Sequence, residues 1–293
     1  MFRICVFILV LLAGSVAPAW SADGDRPFRA EADAMAEVDA ALARAEERGT
    51  RLLLVFGANW CHDSRGLAGH FAQDDMAALI AEHYELVWID IAWRERNIDV
   101  LRRFGAPAIY GTPTVLIYDP AQGLMNADTM HSWHTAYSRS HDAVVEYFTV
   151  WAEARPAASL TATSAVYQQL IADIDAWEMR EAVRLNAAYA QHAAWREELA
   201  PHFERAGNDE ESTRLVELFH SVEQDIDRHR SNMRADRADL HAQAHERVRE
   251  ALLVLAGDEP LGFDTVAALD ANPPEISLDY PSYPDPLYPW EDE

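Results

Sequence analysis

The chain has no lysine. All 24 fixed positive charges are arginine, set against 49 acids, for a formal net charge of −25. A field of that sign repels phosphate backbones and anionic lipid heads, which argues against nucleic acid or membrane surfaces as partners. Cysteine is almost absent: Cys5 and Cys61 are the two. The sequence also lacks a Gly-rich phosphate loop, a G-x-S-x-G elbow, an H-E-x-x-H pair and a paired C-x-x-C, so no cofactor is expected. After the first residues no apolar run approaches the ~20 needed to span a bilayer.

The start reads differently. Arg3, the apolar stretch "ICVFILVLLAG" and the small residues Ala17-Pro18-Ala19 and Ser21-Ala22 have the layout of a secretory signal peptide over residues 1–22. The expectation is a periplasmic or secreted protein, off the membrane once cut. No cysteine follows "LLAGS" to carry a lipid. Cleavage removes Arg3 and no acid, so the charge goes from −25 to −26. It also removes Cys5, leaving Cys61 with no internal partner. In an oxidising compartment a lone thiol needs an intermolecular partner, a reactive role or burial.

Four zones follow. Residues 28–48 carry Met35, Val38 and Leu42 at helical spacing and end at Gly49. Apolar runs at "RLLLVFGA", "YELVWIDIA" and "GTPTVLIYDP" read as strands, with a weak fourth at 124–130. Between them, 65–83 and "NIDVLRRFG" read as helices, and Ser140 as the N-cap of a helix running to Pro156. The fold class is α/β, a central sheet flanked by helices over 28–155. From 160 to 256 the period becomes helical, with Leu170, Ile174, Trp177 and Leu185 answered by Leu218, Val222, Ile226 and Met233: two long arms of a hairpin, broken near Pro201. Residues 257–293 hold seven prolines and read as an extended acidic tail, partly disordered, whose Tyr280, Tyr283, Tyr288 and Trp290 could lie along a groove.

Trp60-Cys61-x-x-Ser64 follows a strand and opens a helix, and Thr112-Pro113-Thr114 leads into another strand. A cysteine at a helix N-terminus meets unsatisfied amides and the positive end of the dipole, which favour its thiolate. His62, when protonated, would add to that field, and Trp60 would shield one side. This combination resembles the thioredoxin family over residues 28–155. The resemblance implies a thioredoxin-like fold, Cys61 as nucleophile, Pro113 as a cis-proline beside it, and Thr112 touching the backbone of bound substrate. Two departures stand out. Ser64 replaces the resolving cysteine, so Cys61 begins exchange and an external thiol must finish it. Val55 stands where the family usually has a buried aspartate.

The implied function is monothiol thiol–disulfide exchange through Cys61, with Trp60, His62 and Ser64 tuning it and Thr112 and Pro113 orienting the client. The implied partners are protein thiols or disulfides and a glutathione-like thiol. The alternative is a non-catalytic thioredoxin-fold binding or assembly module that uses the hairpin and tail. The histidines His70, His131, His134 and His141 could gather around Cys61 and His62 for a soft metal. No ligand motif is present, so they read as surface or turn residues, and no metal is expected.

Overall fold

The computed structural model of the protein describes residues 26–154 and 159–283. Residues 1–22, Pro156, Tyr288 and Trp290 lie outside the described residues.

Helix α1 (Ala34–Arg48) starts on the Asp33 carboxylate, which accepts from Ala36 N at 3.1 Å, and ends at Gly49, whose φ of 67° is left-handed. Strand β1 (Arg51–Gly57) is buried along its whole length. It pairs in parallel with β2 (Tyr84–Asp90) and antiparallel with β3 (Thr114–Asp119), whose outer edge meets the two-residue β4 (Gly123–Leu124). A strand buried on both faces favours an apolar run, and residues 52–56 supply it. The buried Arg51 at the strand start donates to Ala154 O and lies 3.5 Å from Asp119 Oδ2. Alternate residues feed two cores. Leu52, Leu54 and Phe56 pack with α1 and with α4 (Ile98–Arg103). Leu53 and Val55 pack on the other face with Trp133, with α2 (His62–Phe71), α3 (Asp74–His83) and α5 (His141–Glu153). Ser140 caps α5 by accepting from Ala143 N at 3.4 Å.

The expected single helix over 65–83 is two helices. Gln73 takes extended φ/ψ, and the acids Asp74 and Asp75 fill the first turn of α3. The expected fourth strand shrinks to Gly123–Leu124, because the Asn126 side chain takes over the edge, accepting from Ile117 N at 2.8 Å and donating to Val115 O at 2.9 Å.

Beyond the sheet domain lie the short α6 (Leu160–Thr163), then α7 (Ala165–Glu198), α8 (Ala200–Phe203) with Pro201 in its first turn, and α9 (Glu210–Ala256). At about 1.5 Å per residue, α9 is ~70 Å long. The arms interlock through two apolar clusters, one around Leu185, Val222, Ile226 and Met233, the other around Ile174, Trp177, Leu240 and Val248. Leu218 does not sit in the seam: it is exposed, and Phe219 is buried in its place, three residues before Val222.

The tail differs from expectation. Its prolines sit at 260 and from 273 onward, leaving room for α10 (Phe263–Ala271), which buries Val266 and Leu269 against α9. Asp270 then accepts from Ala165 N at 3.0 Å and from the Ser164 hydroxyl at 2.7 Å, capping α7. Further along, the Trp177 indole donates to Pro281 O at 3.0 Å, and Tyr283 donates to Asp236 and lies 4.7 Å from the His229 ring. The extended stretch runs along the hairpin rather than away from it.

Candidate active site

Cys61 is the N-cap of α2. It has extended φ/ψ, no side chain caps the helix, and its carbonyl accepts from Arg65 N at 3.2 Å. It is the free cysteine among the described residues, 8% exposed. The Cys61 Sγ–H donates to Thr112 O at 3.3 Å, and the Thr112–Pro113 peptide bond is cis. Residues 51 positions apart in sequence therefore meet at one sulfur. Ser64 is fully buried one turn into the helix. Its Oγ accepts from Ala58 N at 3.4 Å, so the hydroxyl serves the turn before the helix and makes no hydrogen bond to Cys61. His62 points outward. Its Nε2 lies 3.2 Å from Asp63 Oδ2, and its ring meets Tyr137 edge-on at 5.5 Å. Asp63, in turn, accepts from Tyr137 N at 2.9 Å and ties α2 to the 3-10 segment Ser132–Ser138. Val55 is fully buried in the apolar cluster that holds Leu67 and Phe71 of α2.

Trp60 is 39% exposed, and its indole N–H donates to Ala92 O at 2.7 Å. It stacks on Trp93 at 5.0 Å. The loop 91–97 that carries Trp93 holds three non-glycine residues at positive φ: Ala92, Arg94 and Asn97. Such backbone persists only where surroundings fix it. Here Asp90 does so, accepting from Ala92 N at 3.2 Å and from Arg96 at 2.6 Å, while its carbonyl accepts from Asn97 at 2.8 Å. The loop sets Arg94 Cζ 5.1 Å from the Trp60 ring centroid. Burial, with the Arg230 charge next, lowers the Arg94 pKa, whereas Tyr189, Asp227 and Cys61 act to raise it.

The hairpin closes the other side. Asn186 donates to Pro107 O at 2.9 Å and Tyr189 to Ile109 O at 2.8 Å, while Ala108 and Tyr110 are packed into the α7–α9 core. Arg196 lies 4.0 Å over Trp93. The residues leading to Pro113 thus run beneath the hairpin, and Thr112 is 5% exposed.

Of the expected site residues, Cys61, Thr112 and Pro113 come together, Trp60 stands at the mouth, Ser64 lies behind, and His62 faces solvent. Trp93, Arg94, Tyr189, Arg196 and Arg230 were missed. The one signal available was "WRER" directly after a strand. Among the described residues no three His, Cys, Asp or Glu gather as a metal site. The histidines correct another expectation. His131 is buried, with Nδ1 3.1 Å from Thr114 Oγ1, and His70 and His141 are stacked with their Nδ1 atoms 3.3 Å apart.

Burial, then the charges of Arg237, Arg234 and His134, push the His131 pKa down to about 3. The unfolded imidazole, near 6.5, binds the proton first. The stability contributed by neutral His131 is therefore complete above about pH 6.5 and lost as pH falls from there towards about 3. Between pH 7 and pH 5 this amounts to about 2 kcal/mol. Urea titrations at both pH values are expected to show a loss smaller by that amount in His131→Asn than in wild type.

A parallel-and-antiparallel sheet with a cis-proline loop against a helix-capping cysteine defines a thioredoxin-like α/β domain. A family model described as Thioredoxin-like matches residues 33–120. The crystal structure of a disulphide isomerase from Xylella fastidiosa Temecula1 is similar at 31% identity, covering 44% of this chain and 98% of that one, with a TM-score of 0.42. No curated protein matches. Residues 33–120 form a thioredoxin-like domain.

Proposed function

We propose that this is an exported thiol–disulfide exchange protein of the monothiol type, acting through Cys61. What carries the reading is the 3.3 Å contact between Cys61 Sγ and Thr112 O, which sets the thiol at the helix start against the cis-proline loop. The thioredoxin-like match over residues 33–120 adds support for thiol or disulfide clients. Export rests on the composition of residues 1–22.

The chemistry follows from a single sulfur. The Cys61 thiolate attacks a client disulfide, a new S–S bond forms to Cys61, and the client's other sulfur leaves as thiolate. Ser64 has no sulfur to reverse this, so an external thiolate attacks the client sulfur of the mixed disulfide and expels Cys61. The burial of Cys61 and Thr112 beside the hairpin favours one other reading, a binding or assembly module with an idle thiol. Intact mass after incubation with a small disulfide separates them. Exchange predicts one adduct, on Cys61, that persists until thiol is added; an unmodified protein after hours leaves the binding module.

A further inference from the structure

Arg94 is a cation without a counterion at the mouth of the thiol. Its Nε is sealed from solvent and has no hydrogen-bond partner, and among the described residues no carboxylate pairs with it. Asp227, which acts on it electrostatically from α9, is ion-paired to Arg230 Nη2 at 3.1 Å. Arg230 also has a sealed, unpartnered Nε. Two arginines thus converge from the 91–97 loop and from α9, in a chain whose net charge of −25 repels anions overall. Burying a guanidinium without a partner costs stability, and the natural partner is a planar anion that its fork can grip.

The size of that partner is set by the hairpin. Tyr189 and Asn186 occupy the carbonyls of Ile109 and Pro107, and Thr112 is buried, so an extended polypeptide finds few free backbone groups along the loop before Pro113. Trp60 and Trp93, stacked and about two-fifths exposed, form the open side. We infer that Arg94, supported by Arg230, recognises a carboxylate of a small thiol or disulfide that reacts at Cys61. This rests on the exchange reading for the purpose of the site and deepens it by giving the class of the external thiol. Arg94 binds the carboxylate, the indoles cover the stem, and the sulfur is left facing Cys61.

The test uses Cys61→Ser protein, in which no exchange can occur, titrated calorimetrically with 3,3′-dithiodipropionate and with its uncharged diamide. The dianion is expected to bind at least tenfold tighter. Arg94→Gln in the same background should reduce that ratio to threefold or less, and Arg94→Lys should keep part of it. If Arg94→Gln loses the wild-type circular dichroism, Arg230→Gln decides, with the same loss expected. Equal binding of the two disulfides, binding of neither, or a preference that survives the glutamine variant would overturn the inference. Anion preference in a protein whose wild type forms no Cys61 adduct would instead sink the exchange reading and leave the anion site standing.

Discussion

Cys61→Ser is expected to lower turnover of a small disulfide, with external thiol in excess, by on the order of 10³ or more. A hydroxyl at the same place has no accessible thiolate-like form and cannot enter a mixed disulfide. The fold should barely notice. Cys61 caps α2 without a side-chain bond, and serine is a favoured N-cap, so unfolding free energy should stay within ~1 kcal/mol of wild type. Activity and stability therefore part company at this residue. A fall in both together would mean that the sulfur serves packing, and turnover that survives the substitution would remove the proposed nucleophile.

Ser64→Cys is expected to release the reaction from its need for external thiol. A thiol one turn after Cys61 can attack the Cys61 sulfur of the mixed disulfide, forming an internal disulfide between Cys61 and the introduced sulfur and expelling the client as thiolate. Because the attacking group is held on the same helix, release should be at least about a hundredfold faster than with millimolar external thiol. The position is tight: Ser64 is fully buried, and a Cβ on Gly57 would come within 2.7 Å of its Oγ. The larger sulfur should cost about 1–3 kcal/mol in stability. Stopped-flow release of a chromogenic thiol from the loaded protein, in the absence of added thiol, reads the gain directly. A variant that still holds its adduct indefinitely would show that residue 64 does not face the mixed disulfide.

Much of the sheet domain was legible because its signals are local. "LLLVF" is apolar without a break and lies in an inner strand of the sheet, Gly49 stops α1, and Ser140 starts α5. The meeting of Cys61 with Thr112–Pro113 was accessible only through the family resemblance, since nothing local brings positions 51 apart together. What was missed has specific causes. Phe219 replaced Leu218 in the seam because both fit an apolar run, and only the packed partner helix selects the face. Helix α10 was hidden by reading the prolines as one segment, although none lies between 263 and 271. His62, next to the thiol in sequence, has its ring against Asp63 and Tyr137, contacts set by the 3-10 segment packed beside α2 and not written locally. Arg94 had only "WRER" after a strand to mark it: one arginine among 24 is singled out by its positive φ and by an Nε with no hydrogen-bond partner, and neither is written in the sequence.

The most direct measurement is the release rate of a small thiol from the Cys61 mixed disulfide as external thiol is raised. Release should climb linearly with thiol concentration from an intercept of zero. A rate that is finite without added thiol, or one that ignores it, would contradict a single-sulfur mechanism.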